Sequence, residues 1–330
     1  MGWSVDEVVD ESKIAYVFPG QGSQTPGMGK SLAENFSVAR EVFEEVDDAV
    51  GFRISQLCFA GPAEELQLTE NTQPAILSVS IAALRAMESE GFPQPDYVAG
   101  HSLGEYSALV AAGSLTLADA VRTVRNRGRY MQEAVPAGRG AMAAVIGLDL
   151  ASIERICLEV SDGQVCAPAN VNSQNQIVIA GHTEAIDRAM ERLKETGAKR
   201  VVKLNVSAPF HCSLMVPAQE RLASDLARLR LDDLRIPLVS NVDAAEVMTA
   251  QDARDSLVRQ VSSPVRWLES VELLIRKGVK TFVEVGPQKV LSGLLRQISR
   301  DVTAYNVEDP AGLKAAVANL GVFQKRNEFS

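Results

Sequence analysis

A serine lies between two glycines at the point where a buried strand would turn into a helix. The segment from Val98 to Leu115 reads VAGHSLGEYSALVAAGSL, with Ser102 at the centre of Gly-His-Ser-Leu-Gly. Small residues two positions before and after a serine let the flanking strand and helix pass closely. The hydroxyl is then exposed at a helix N-terminus, where backbone N–H groups favour a developing oxyanion. The spacing therefore predicts a nucleophile elbow, which requires a strand–turn–helix unit.

Predicted strands and helices alternate along the rest of the chain. Between residues 138 and 206 the pattern predicts strand 141–147, helix 151–160, strands 165–171 and 176–180, helix 183–196 and strand 200–206. This β-α-β-β-α-β order is typical of a ferredoxin-like unit. We therefore expect a small domain at 138–206, inserted into a larger α/β domain formed by 1–137 and 207–330, with residues 1–13 flexible.

Bulk properties exclude several classes of function. The 330 residues carry a formal net charge of -9, which argues against a nucleic-acid binder. No apolar run approaches the ~20 residues of a membrane span, and the acidic N-terminus lacks the order of a signal peptide. Four scattered cysteines and three histidines make a metal site unexpected. The sequence therefore predicts a cytoplasmic enzyme that binds neither membranes nor nucleic acids.

The three histidines are the candidates for a general base to Ser102. His101 is adjacent to the serine, and its side chain would project away from the hydroxyl. His182 precedes a predicted helix in the small domain, which favours an exposed residue. His211, in SAPFHCSLM, lies in an apolar loop that re-enters the large domain. A Ser…His pair fits nucleophile and base, although a merely packed loop histidine remains an equal alternative.

Arg127 is unusual in the helix predicted from residue 117 to 135. At 100° per residue it projects from within the apolar stripe, which is formed by Leu117, Ala120, Val121, Val124, Met131, Ala134 and Val135. A buried guanidinium is costly unless an anion meets it. It could pair with an internal carboxylate, extend its side chain to solvent, or bind a substrate carboxylate, and the spacing leaves these readings open.

Eight ordered segments resemble one protein family. They are YVFPGQGSQTPGMG, TQPAI, GHSLGEYSALVAAG, RNRGRYMQEAV, ANVNSQNQIVIAG, SAPFHCSLM, SSPVRW and FVEVGPQKVLSGL. From about Ile14 to Ile298 the chain is similar to the malonyl-CoA:acyl carrier protein transacylases of fatty-acid synthesis and to the related acyltransferase domains of polyketide synthases. The resemblance implies an α/β fold, in which a hydrolase-like core with a parallel sheet carries an inserted ferredoxin-like domain.

The resemblance also implies roles for individual residues. Ser102 would be the acylated nucleophile and His211 its general base, with the imidazole oriented by a backbone carbonyl at Gln260. The backbone N–H groups of Gln21 and Leu103 would form the oxyanion hole.

Further residues would bind the substrate. Arg127 would bind the malonyl carboxylate, and Gln260 is assigned to the substrate-binding set as well. Gln73 would line the pocket, while Asn170 and Asn172 would lie near coenzyme A. Phe210 precedes the base, and in related polyketide domains phenylalanine at this position accompanies malonyl rather than methylmalonyl selection.

The implied reaction is transfer of malonyl from malonyl-CoA to the phosphopantetheine thiol of an acyl carrier protein through malonyl-serine. We expect a monomer that needs neither cofactor nor metal, with coenzyme A thioester as substrate. A basic patch would dock the acidic carrier, either Arg122, Arg125 and Arg129 or the segment KETGAKR. The alternatives are a discrete acyltransferase of a polyketide synthase, a serine thioesterase or esterase, and a non-catalytic carrier-binding subunit.

Overall fold

The computed structural model describes residues 13–206 and 208–320. The predicted flexibility of residues 1–12 lies outside the described residues. The same prediction is wrong for Lys13, because this residue begins the first strand of the central sheet and pairs in register with Val279. Among the helices in the described ranges, none combines the length and the apolar composition needed to cross a bilayer.

A six-stranded sheet forms the centre of the large domain. Its strands are β1 (Lys13–Phe18), β2 (Tyr97–Gly100), β7 (Leu238–Val239), β8 (Glu246–Val247), β9 (Val279–Val285) and β10 (Thr303–Val307). They lie in the order β10-β9-β1-β2-β7-β8, and all neighbours are parallel except the antiparallel pair β7–β8. The carboxyl ends of β1, β2 and β7 therefore meet at one edge, where α/β proteins build their sites.

Helices cover both faces of this sheet. Before the insertion they are α1 (Lys30–Asn35), α2 (Ser37–Val50), α3 (Ile54–Ala60), α4 (Ala63–Leu66), α5 (Thr69–Ser89), α6 (Gly104–Ala111) and α7 (Leu117–Glu133). After it they are α10 (Val216–Leu226), α11 (Ala250–Gln260), α12 (Trp267–Arg276), α13 (Val290–Ile298) and α14 (Pro310–Leu320). Helix α5 is buried along almost its whole length, which makes it the centre of the main apolar core.

The inserted segment forms a second, antiparallel sheet. Its elements are β3 (Gly140–Ile146), α8 (Leu150–Val160), β4 (Cys166–Ser173), β5 (Gln176–His182), α9 (Thr183–Glu195) and β6 (Arg200–Lys203). The strand order β4-β5-β3-β6 is the ferredoxin-like arrangement, so the predicted fold class is confirmed. Strand β6 ends at Lys203, three residues earlier than predicted. The proposed domain boundaries at 137/138 and 206/207 stay a prediction.

Main-chain hydrogen bonds join the small sheet to the large domain. The N–H of Val171 in β4 donates to the carbonyl of Val265, and the N–H of Val265 donates to that of Ala169, both over 2.9 Å. Gly140, at the start of β3, packs so closely on Pro209 that a Cβ would lie 2.4 Å from the proline ring. The small domain is therefore fixed beside the edge of the large sheet.

Candidate active site

Ser102 lies on a tight turn between β2 and α6. Its φ of 51° is left-handed, a conformation that non-glycine residues seldom adopt. A Cβ on Gly100 would lie 1.9 Å from the Gly104 carbonyl carbon, and one on Gly104 would lie 2.0 Å from the Phe18 oxygen. Only glycine allows these approaches, so the predicted strand–turn–helix unit has a steric cause.

His211 lies against the serine hydroxyl. Its Nε2 is 2.7 Å from Ser102 Oγ, and its Nδ1 is 2.9 Å from the carbonyl oxygen of Gln260. Since a carbonyl only accepts, Nδ1 carries the proton and Nε2 is free to accept from the hydroxyl. Burial, and next the positive charge of Arg127, lower the pKa of His211 from 6.5 to about 3. The imidazole is therefore neutral at physiological pH and ready to take a proton.

Arg127 is almost completely buried, with 1% of its surface exposed. Its guanidinium donates to Gln73 Oε1 over 2.8 Å, to Gln260 Oε1 over 2.9 Å and to Ser102 Oγ over 3.0 Å. No carboxylate of the described residues lies within ion-pairing distance, and its Nε has no hydrogen-bond partner there. Burial lowers the pKa of the Arg127 guanidinium, and the buried Glu105 carboxyl, which shares the Gln260 amide with it, offsets this only in part. Neither a direct ion pair nor an extended, solvated side chain therefore explains this charge.

Close packing of α7 on α5 brings Arg127 to this position. A Cβ on the next residue, Gly128, would lie 2.5 Å from the carbonyl oxygen of Thr69 at the start of α5. This close approach accompanies the hydrogen bond from the guanidinium to Gln73, which also lies on α5. The ring of Tyr106 also lies against the guanidinium, with its centroid 5.7 Å away.

A cavity of about 100 Å³ lies in front of the serine. It is lined by Ser102, His211, Arg127, Gln21, Leu103, Gln73, Asn170 and Phe210, together with His101, Met131, Met142, Leu204 and Val206. A second, more open cavity of about 600 Å³ shares Gln21, Leu204 and Val206 with it. The arrangement is a small chamber at the nucleophile with a larger entrance beside it.

Two predicted substrate-binding residues do not line the chamber. The Gln260 side chain is fully buried behind the serine, where it is held by Arg127, Glu105 and the Ser102 carbonyl. The Oδ1 of Asn172 accepts from Nε2 of His101 over 2.8 Å. Both amides are engaged by protein groups, and their assignment to substrate binding stays a prediction.

The backbone N–H groups of Gln21 and Leu103 flank the serine. Gly20 brings the first close, since a Cβ there would lie 2.4 Å from the His101 carbonyl oxygen. Within the described residues neither N–H donates a hydrogen bond to the protein. Leu103 on the elbow and Gln21 in the loop after β1 both line the chamber, and two free N–H donors are what an oxyanion needs.

The other candidate groups are engaged elsewhere. Nδ1 of His182 accepts from the N–H of Val165 over 2.8 Å in the small domain. Cys212 donates to the Pro209 carbonyl, and burial raises the pKa of its thiol to about 11, which disfavours the thiolate that a nucleophile needs. In the described ranges, no three His, Cys, Asp or Glu side chains cluster to hold a metal ion.

Sequence reasoning missed Asn241, which follows β7. Its Oδ1 accepts from the N–H of Ser102 over 2.6 Å, and its Nδ2 donates to the carbonyl of Gly100 over 2.6 Å. The amide thus holds both sides of the elbow. A polar residue at the carboxyl end of a strand in a parallel sheet was the available signal.

Comparison with known proteins agrees with the family resemblance of the sequence. Residues 15–325 match the model of the acyl transferase domain family. A malonyl CoA-acyl carrier protein transacylase of Salmonella typhimurium is 49% identical over 306 residues, which cover 93% of this chain and 99% of the relative.

Solved structures are similar over the same range. The malonyl CoA-acyl carrier protein transacylase of Coxiella burnetii superposes with a TM-score of 0.92 at 43% identity, covering 94% of this chain and 98% of that chain. A malonyl-transacylase solved in complex with a type II polyketide acyl-carrier protein superposes with a TM-score of 0.92 at 47% identity, covering 93% and 100%.

Proposed function

The chain belongs to the acyl transferase domain family, and we propose that it transfers malonyl from malonyl-CoA to the phosphopantetheine thiol of an acyl carrier protein. One observation carries this proposal. A Ser–His pair with 2.7 Å between Oγ and Nε2 shares its chamber with a buried arginine that has no carboxylate partner among the described residues. A nucleophile beside an unpaired guanidinium suits an acyl group that carries its own carboxylate.

In the first step Ser102 Oγ attacks the thioester carbonyl of malonyl-CoA. Nε2 of His211 takes the hydroxyl proton, and the Gln260 carbonyl stabilises the imidazolium through Nδ1–H, in the place of the carboxylate of a triad. The backbone N–H groups of Gln21 and Leu103 bind the oxyanion. The imidazolium then protonates the sulfur as the C–S bond breaks. Coenzyme A departs, and the malonyl group remains on Ser102 as an ester.

In the second step the thiol of the carrier attacks malonyl-serine, and the first half-reaction runs in reverse. His211 takes the thiol proton while the sulfur attacks the serine ester, and returns a proton to Ser102 as the ester breaks. A thioester enters and a thioester leaves, so the two half-reactions are nearly balanced in energy. The small chamber limits access of water, which would otherwise compete as the acceptor.

The substrate's carboxylate also assists the base. In the free enzyme the charge of Arg127 disfavours the imidazolium of His211 and contributes to its low pKa. A malonyl carboxylate on the guanidinium offsets that charge, so the imidazolium forms more readily during attack. Arg127 therefore couples recognition of the carboxylate to proton transfer, an effect that acetyl-CoA cannot produce.

Intact mass after mixing with malonyl-CoA tests the proposed function. We expect a stable malonyl adduct on Ser102, which is discharged when an acyl carrier protein with a free phosphopantetheine thiol is added. Hydrolysis of malonyl-CoA without an adduct would identify a thioesterase. Absence of both would identify a non-catalytic carrier-binding subunit.

We further propose that the carrier is that of fatty-acid synthesis and that the protein works in the cytoplasm as a monomer without a resident cofactor. Four cysteines without disulfides agree with a reducing compartment. A similar structure contains a polyketide carrier, so kcat/KM with purified carriers of both kinds decides the choice.

Two contacts help to choose between the two candidate surfaces for docking of the carrier. Arg122 donates to the carbonyl of Ala49, and Arg125 donates to that of Val50 while lying over the Phe52 ring. These guanidinium groups complement the C-terminus of α2, which makes them less available to a partner. We therefore favour the exposed segment 194–200 for the carrier's acidic surface.

The rate of acylation should not fall at low pH in the way that protonation of an ordinary histidine base would cause. The reactive form has a neutral imidazole, and a pKa lowered to about 3 keeps His211 neutral across roughly pH 5–8. We expect kcat/KM for acylation to show no loss with a midpoint near the ordinary value of 6.5. Burial raises the pKa of Glu105 to about 7, so Glu105→Gln is measured in parallel to assign any limb that appears. A limb that persists in Glu105→Gln would contradict a low pKa for His211.

Phe210 should exclude methyl-branched malonyl groups. Its ring lines the chamber beside the base, and a packed chamber does not accommodate an extra methyl without strain. We expect malonyl-CoA to be preferred over methylmalonyl-CoA by roughly the 10–200-fold that one methyl supplies. Phe210→Ser should narrow that ratio of kcat/KM. A fixed ratio with lower activity in the variant would mean that Phe210 only supports its loop.

A further inference from the structure

A buried acid lies directly behind the nucleophile, outside the chamber. Glu105 is in the first turn of α6, three residues after Ser102, and none of its surface is exposed. Its Oε2 accepts from the backbone N–H of Asn241 over 2.8 Å and from Nε2 of Gln260 over 3.1 Å. A buried carboxylate is costly, so two hydrogen bonds to residues of the site call for an explanation.

The contact with Gln260 fixes which way its amide points. A carboxylate oxygen and the Ser102 carbonyl both accept, so the Gln260 NH₂ must face them. Oε1 is thereby turned toward Arg127, from which it accepts over 2.9 Å. The reversed amide would set its NH₂ against the guanidinium and its oxygen against two acceptors.

The contact with Asn241 acts on the elbow. Glu105 holds the backbone of Asn241, whose side chain binds the Ser102 N–H and the Gly100 carbonyl. One oxygen of Glu105 thus contacts both Gln260, whose amide binds Arg127, and Asn241, whose amide binds the turn at Ser102.

We propose that Glu105 is a positioning residue that orients the Gln260 amide and, through it, the guanidinium of Arg127 toward the acyl chamber. The inference rests on the proposed malonyl transfer, because orientation of Arg127 matters for an acyl group with a carboxylate. What the role requires is an acceptor oxygen at the right distance, not a negative charge. The raised pKa of Glu105, caused by burial, agrees with a group that acts in either protonation state.

Two conservative variants separate distance from charge. Glu105→Gln keeps the side-chain length and one acceptor oxygen but loses the charge. Glu105→Asp keeps the charge but withdraws the oxygens by one methylene. The readout is the ratio of kcat/KM for acylation by malonyl-CoA and by acetyl-CoA, measured on protein shown to be folded by its melting temperature.

We expect Glu105→Asp to lower the malonyl-to-acetyl ratio by about tenfold, the effect of one misplaced charge-assisted contact, and Glu105→Gln to keep it within about threefold. The reverse result would assign the effect to charge and overturn the proposal. Equal losses in both variants, or no change in either, would overturn it as well.

A structural measurement keeps this inference separate from the proposed function. If the wild-type protein forms no malonyl adduct, malonyl transfer fails, and the ratio has no meaning. Crystal structures of the two variants then decide the role of Glu105. A Gln260 amide rotated off Arg127 in Glu105→Asp alone supports it, and an unmoved amide in Glu105→Asp overturns it.

Discussion

Replacement of Ser102 by alanine is expected to abolish the malonyl adduct, and replacement of His211 by alanine to slow adduct formation by about 10²–10⁴-fold. The alanine at 102 leaves no oxygen to acylate. The alanine at 211 leaves the hydroxyl without the Nε2 acceptor that lies 2.7 Å away. Rapid-quench mixing with malonyl-CoA, followed by intact mass, measures both effects.

The two losses should not multiply, since the residues act as one unit. The double variant is expected to be no worse than Ser102→Ala, and residual hydrolysis of malonyl-CoA should be alike in all three. His182→Gln is a matched control, because His182 lies in the small domain and its contact is with Val165. Multiplying losses in hydrolysis would show that His211 does not act on Ser102.

Local rules explain what could be predicted from the sequence. The elbow follows from the Gly-x-Ser-x-Gly spacing, and the steric limit at Gly100 is local because a Cβ there would meet Gly104, whereas the limit at Gly104 is set by Phe18 on β1. The insertion follows from strand and helix periods in one continuous segment. Arg127 was found because helical geometry alone places it in the apolar stripe, and the structure buries it there.

Contacts between distant segments explain what could not be predicted. The partners of Arg127 come from α5, the elbow and the end of α11, and no local period indicates that these meet. For Gln260 the family resemblance implies that its carbonyl orients His211, but the sequence does not show where its side-chain amide points. Its carbonyl holds His211 while its amide is turned inward.

The role of Glu105 is even harder to predict from the sequence. Its position in the first turn of α6 suggests an acid at a helix N-terminus, a favourable and unremarkable placement. Only the packing of α11 and of Asn241, two residues after β7, against that turn makes it a buried acceptor for Gln260 and Asn241. A residue's role in such a network depends on which chain segments surround it, and therefore on the whole fold.

Replacement of Arg127 by alanine is expected to change the preferred substrate from malonyl-CoA to acetyl-CoA. The guanidinium is the buried cation beside Ser102 Oγ, 3.0 Å away, so a malonyl carboxylate in the variant would be desolvated without a partner. A charge-assisted bidentate contact contributes about 1.5–3 kcal/mol. That range corresponds to at least about a tenfold loss in malonyl transfer, whereas acetyl transfer makes no such contact.

Competition between the two acyl-CoAs in one reaction measures this change directly, because the ratio of adduct masses is independent of the active fraction of enzyme. Arg129→Ala is the matched control: it removes an exposed arginine of the same helix, which contacts Asn126 and the ring of Tyr130, and should keep the wild-type ratio. The variant also tests the electrostatic coupling to the base. Removing Arg127 takes away a charge that lowers the pKa of His211, so the imidazolium becomes easier to form and acetyl transfer should rise rather than merely persist. A parallel fall in both activities would mean that Arg127 supports the fold of the chamber and does not select the acyl group.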